Sequence, residues 1–142
     1  MDLNQVSPLE VKIQKALGTH YQLRNYILRK HIDFKTNDDY LAFAHVNLST
    51  LKQLFKYGCI DPQGTQNNSP TALEFLEFMT KYPMIECNGY VITEEREDQR
   101  ITIEGLMYRG VVNRNLLSAF KKMCTTADEI VTDTHHLYSW WD

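Results

Sequence analysis

Five histidines, three cysteines and a scatter of carboxylates are the groups of this chain that could move protons, attack a carbonyl or hold a metal. Histidine is the usual acid–base group and metal ligand near neutral pH. His135 and His136 are adjacent, so on a strand they point to opposite faces and cannot chelate one ion unless a turn separates them. His20, His31 and His45 fall on segments read as helical, at separations that put no two at neighbouring positions of one helix. Cys59, Cys87 and Cys124 form no C-x-x-C pair, and their odd number and wide spacing predict separate, reduced thiols. No metal site and no cofactor is therefore expected. Cys87 with Asp133 and His135 would make a nucleophile, acid and base set. No cation, helix N-terminus or glycine elbow adjoins Cys87 to activate it, so its expected role is to fill core volume, and no catalytic residue is assigned.

Carboxylates crowd into Glu94-Glu95-Arg96-Glu97-Asp98-Gln99-Arg100, where a hairpin tip in solvent should leave them as cross-strand partners of the arginines. Glu86 and Glu104 project instead from β-type segments. With Tyr108, Asp133 and His135 they are the residues that would line a pocket between helices and sheet if this were a small enzyme or ligand-binding protein, the alternative reading. Neither a G-x-x-x-x-G-K-[ST] loop nor a G-x-G-x-x-G turn is present, which removes the two common phosphate cradles.

Charge is uneven. Six basic residues lie within positions 1–36 against Asp2, Glu10 and Asp33, an excess of three positive charges, so the remainder carries six negative ones in a chain of net charge -3. Arg24, Arg29 and Lys30 are the candidate basic surface. The order of helices before an acidic hairpin resembles a winged helix superficially, but its reading helix, PTALEFLEFMTKY, offers Glu74 and Glu77 against Lys81 alone, whereas phosphate contact needs Arg and Lys. Nucleic acid is thus the least favoured partner. The terminal HLYSWWD places Tyr138, Trp140 and Trp141 together, and such aromatics bury much area while keeping a polar atom available. They are the candidate interface, for a protein partner or for self-association as a homodimer.

The elements that must position these groups follow from periodicity and punctuation. Ser7-Pro8-Leu9-Glu10 reads as a helix start, with Leu9, Ile13, Ala16 and Leu17 on one face and Gly18 as its stop. A second helix runs from Thr19 toward His31. Tyr40-Leu41-Ala42-Phe43-Ala44 reads as a short third helix capped by Thr36 or Asn37, and Asn47 or Ser49 caps a fourth that turns Leu51, Leu54 and Phe55 inward before Gly58. Residues 61–68, DPQGTQNN, are the best candidate for a boundary or a mobile segment. Ser69-Pro70 restarts a helix with Leu73, Leu76 and Met79 in one stripe, ended by Pro83.

From Met84 onward the periodicity changes to two. Ile85, Cys87 and Val91 alternate with polar or half-polar neighbours, a turn centred on Glu97-Asp98 returns the chain along residues 100–108, and Asn88-Gly89 then falls at a bulge rather than a turn. Ile101, Ile103 and Met107 are expected on one face, and Thr102, Glu104, Leu106 and Tyr108 on the other. An amphipathic helix with Leu116, Leu117, Phe120 and Met123 covers the sheet, and one last strand carries both tryptophans.

The expectation is one α+β domain over residues 1–142, with a helical part over about 7–82 packed on a small antiparallel sheet and one covering helix over about 84–142, in strand-strand-helix-strand order. A chain of this length buries roughly two thirds of its unfolded surface without a staple. Its apolar runs are too short to span a membrane, and its opening residues lack the basic start and apolar stretch of a secretory signal, so a cytoplasmic location is expected. Convergent reactive groups are not evident, whereas charge asymmetry and an aromatic terminus are. The functional expectation is a non-catalytic interaction or regulatory module.

Overall fold

In the computed structural model, which describes residues 20–32 and 39–142, the segment YLAFAHV is a strand and not a helix. This β1 (Tyr40–Val46) corrects the sequence reading. Leucine and alanine favour helix, but Leu41 and Phe43 alternate with Ala42 and Ala44, and that period of two buries both large side chains once the segment pairs with a neighbouring strand. The helix expected over residues 7–17 and the caps Thr36 and Asn37 lie outside the described residues. The second expected helix is α1 (His20–Ile27), shorter than anticipated, after which residues 28–32 turn and Ile32 bridges to Phe43 on the outer edge of β1.

The fold is α+β. One antiparallel sheet has the order β1-β2-β3-β5-β4, with β2 (Glu86–Ile92), β3 (Arg100–Arg109), β4 (Glu129–Thr132) and β5 (His136–Trp140). The expected single terminal strand is a hairpin of two. Asp133 reverses the chain: its carboxylate accepts from the His135 amide at 2.9 Å and its own amide donates to the His136 carbonyl at 3.0 Å.

The bulge at Asn88-Gly89 is real, and its extra residue sits on the partner strand. Asn88 pairs with Gly105 and Gly89 with Ile103, leaving Glu104 unpaired in β3. The slip exchanges the faces beyond it. Leu106, and not Met107, joins Ile101 and Ile103 on the core side, because one inserted residue shifts a two-residue period by half a cycle.

All four described helices bury residues against that core face. Asn47 caps α2 (Leu48–Lys56), accepting from the Thr50 amide at 2.9 Å, and Leu51, Leu54 and Phe55 turn inward as expected. The helix expected from Ser69-Pro70 begins two residues later, as α3 (Ala72–Lys81). Thr71 and Glu74 form a reciprocal capping box there, while the Ser69 hydroxyl is spent on the Gln66 amide and the Pro70 carbonyl. Phe75, fully buried, heads the inner face of α3 with Leu76 and Met79; Leu73 is only half-buried. Asn113 caps α4 (Arg114–Met123), whose Leu116 and Phe120 reach the core.

The Pro- and Gly-containing loop over residues 61–69 is stitched down and is not a linker. Gln66 accepts from the Tyr90 hydroxyl at 2.6 Å, the Asn67 amide group bonds the Asp142 carbonyl, and the Thr126 hydroxyl donates to the Asn68 carbonyl at 2.6 Å. These bonds draw the loop, the α4–β4 connection and the chain terminus into one region.

Candidate functional site: the C-terminal hairpin

The two ends of the sheet are treated differently. At the β1 end, His31 and Ile32 lie along the strand, with the Ala44 amide donating to the His31 carbonyl at 3.3 Å. At the other end no described segment pairs with β4. Cross-strand register fixes which of its groups are unused. Asp133 bonds to His136 and Val131 lies opposite Tyr138, so by alternation Ile130 and Thr132 turn their backbone N–H and C=O outward. Ile130 is 45% exposed and Val131 40%, on opposite faces of the same four-residue strand.

Aromatic residues extend this edge across the sheet. Val131, Tyr138 and Met107 form one cross-strand row on the face away from the helices, and Glu129, Trp140 and Gly105 form the next. Tyr138, Trp140 and Met107 are half-buried there. Toward β1 the same face holds the buried Tyr90, Ile92 and Thr102 and then opens again at Tyr40, 45% exposed, and Ala42; the Tyr40 and Tyr90 rings stack at 5.0 Å. This face is therefore accessible at both ends, and its C-terminal end is the one that adjoins the exposed side chains of β4. Glu104 lies within it; burial raises its carboxyl above the usual range, against a lowering hydrogen bond from the Trp140 side chain, and Asp142 raises it further. Burial likewise raises the Tyr138 phenol, with Glu129 and Glu104 adding to the effect.

Of the expected interface residues, Tyr138 and Trp140 belong to this surface. Trp141 does not. It is wholly buried, with its ring edge-on to Phe75 at 5.4 Å and its indole N–H donating to the Thr126 hydroxyl at 3.1 Å. The residues expected to line a pocket are distributed and locally engaged. Glu86 pairs with His45 at 3.1 Å, Tyr108 donates to the Val111 carbonyl at 2.9 Å, and Asp133 holds the hairpin turn beside His135, whose Nδ1 meets the Thr134 hydroxyl at 3.0 Å. None of them, nor Glu104, lines the cleft between α3 and α4. Among the described residues no group of three or more His, Cys, Asp and Glu side chains could hold a metal ion.

The candidate basic surface also divides. Arg29, over the Tyr26 ring at 4.0 Å, and Lys30 are exposed. Arg24 is not a surface group at all: it is 3% exposed and bonds Glu94 at 3.0 Å, with Asn25 and the Tyr21 ring as further neighbours. Its inward position follows from helical angle, since Arg24 lies between Ile27 and Leu28, both of which are buried in the core. Glu94 is raised by burial, but its backbone N–H bond and the Arg24 guanidinium outweigh that and hold its carboxyl below the usual range.

Cys59, Cys87 and Cys124 are free and buried. Burial pushes the Cys59 thiol up to about 11 despite nearby Arg24, pushes Cys124 to about 11 despite a bond from Ser139, and raises Cys87 most of all. The thiolate is the reactive species, so all three should react slowly with a thiol reagent at neutral pH and rapidly once urea unfolds the chain. One fast thiol in the folded protein would contradict this.

Ile130 and Val131 lie in an edge strand of their own, where the sequence leads one to expect a single last strand. The signal was present in Asp133-Thr134, a turn pair between two β-type runs. Compared with protein families, characterised proteins and solved structures, the chain matches none. No described helix is long and apolar enough to cross a membrane.

Proposed function

We propose that this protein is a non-catalytic interaction module, cytoplasmic, that associates with a second copy of itself through the C-terminal hairpin. The observation that carries the reading is the edge of β4, which no described segment pairs with and which bears exposed apolar side chains. Natural edge strands are commonly blunted by lysine, proline or a bulge, because unpaired backbone groups beside apolar side chains invite another strand. Here Ile130 and Val131 stand exposed with neither lysine nor proline in the strand.

Geometry suggests the pairing. An antiparallel copy with Val131 opposite Val131 sets Ile130 opposite Thr132 twice, which uses the outward backbone groups of both chains. The same register sets Glu129 opposite Asp133 at both ends. Like charges facing across a strand pair oppose association by a few tenths to about 1 kcal/mol each, and salt screens them.

The dimer should therefore be weak at low ionic strength and tighten as salt rises. Glu129→Lys turns both repulsions into attractions and should strengthen it, while Val131→Lys should leave a monomer. Sedimentation equilibrium on the three proteins at two salt concentrations decides the matter. A monomer throughout, with Glu129→Lys no different, removes self-association through this edge.

A further inference from the structure

A second surface lies on the opposite side of the molecule from the sheet's accessible face. Between α3 and α4 runs an open cleft of about 370 Å³, within the size range of ligand sites, ~300–1,000 Å³. Phe78, Tyr82, Met123 and Ala119 form its apolar floor, and all four are half-buried. The Phe78 and Tyr82 rings lie tilted at 5.1 Å, with Met123 as a flexible neighbour able to repack around a guest side chain.

Charge gives the cleft a direction. Lys81 on α3 and Lys122 on α4 stand on its two walls, both exposed. Lys81 carries its ammonium 5.8 Å from the Tyr82 ring centre, and neither lysine has a carboxylate partner among the described residues. Glu74, the single acidic group of the lining, is spent: its carboxylate accepts from the Thr71 amide at 3.1 Å in the capping box of α3. The cleft is thus positive in a chain whose net charge is -3.

We infer that this cleft binds a short peptide segment of a protein partner that combines large apolar side chains with aspartate or glutamate. The apolar anchors fill the Phe78, Tyr82 and Met123 floor while the acidic groups meet Lys81 and Lys122 on either wall. A cleft open along its length cannot enclose most of a small molecule's surface, as a dedicated small-ligand site does, but suits an extended or helical guest that leaves one side in solvent. Its two walls are separate helices, so both lysines reach a guest lying between them.

The test is selection from a random dodecapeptide library displayed on phage, against the full chain, followed by fluorescence anisotropy of the enriched peptides. Enriched sequences should combine leucine, phenylalanine, methionine or tryptophan with at least a pair of acidic residues, and their binding should weaken with salt. The double variant Lys81→Glu with Lys122→Glu alters only exposed side chains, so the fold should survive, and affinity should fall about tenfold or more. Val131→Lys, on the far hairpin, should bind these peptides unchanged, which separates this site from the proposed self-association. No enrichment, enrichment of basic peptides, or binding indifferent to the lysine reversals would overturn the inference. So would saturable binding of dodecanoate with no peptide selected, which would make the cleft a site for small amphiphiles.

Discussion

Replacing Trp141 with alanine should destabilise the protein by about 3–5 kcal/mol, the range for removing a fully buried large aromatic. Three separate parts of the chain converge on this side chain. Its ring meets Phe75 of α3 edge-on, its indole N–H holds the Thr126 hydroxyl, and that hydroxyl in turn donates to Asn68 in the loop before α3. The backbone contributes as well, with the Trp141 amide donating to the Glu104 carbonyl at 2.8 Å, where the bulge leaves β3 without a regular partner. Since domains of this size are stable by only ~5–15 kcal/mol, the midpoint of thermal unfolding should drop by on the order of 10 °C. Trp141→Phe keeps a ring against Phe75 and loses the N–H, so its cost should fall between the two, while Trp140→Ala, at a half-buried site, should cost clearly less. Deleting residues 138–142 should be worst of all, because β5 lies between β3 and β4 and its loss leaves β4 nothing to pair with. Circular dichroism melts of the four variants rank them, and a Trp141→Ala protein that melts with the parent would show that the terminus is a dispensable tail.

The legible parts of this fold are those where local and global preferences agree. Asn47, Asn113 and the inward triad of Leu51, Leu54 and Phe55 could be read directly, since a cap and a helical stripe are properties of neighbouring residues. β1 is not legible as a strand because YLAFAHV is short and holds two alanines, and only pairing with β2, far along the chain, makes it one. The faces beyond Glu104 were inverted for a similar reason: a bulge can be suspected from Asn88-Gly89, but which strand carries the extra residue depends on the register of the whole hairpin. The candidate surfaces are less legible still. Tyr138 and Trp140 announce themselves by composition, whereas the β4 edge and the cleft between α3 and α4 exist only once elements distant in sequence have met.

Gly89→Ala should cost about 3 kcal/mol or more, although the substitution adds a single methyl group to a strand. Gly89 stands between Phe43 on β1 and Ile103 on β3, and the Phe43 ring lies across it. A Cβ there would meet the Thr102 carbonyl oxygen in overlap and come within 2.6 Å of the Phe43 ring. Neither neighbour can yield freely. Thr102 belongs to the backbone of the central strand, and Phe43 is itself 3% exposed within the core. The cost is therefore crowding, and it should be relieved in part when the ring is made smaller. In a double-mutant cycle, Phe43→Leu should recover at least about 1 kcal/mol of the Gly89→Ala loss, but not all of it, because the carbonyl remains. Gly58→Ala is the contrasting case. Gly58 sits at φ +68° with no atom within 4 Å of an added Cβ, so its cost of about 1–2 kcal/mol is conformational and should be untouched by Phe43→Leu. Urea unfolding of the single and double variants measures both couplings. Additive effects at Gly89 and Phe43 would mean that the ring does not press on the glycine, and the close approach of β1, β2 and β3 at the bulge would lose its support.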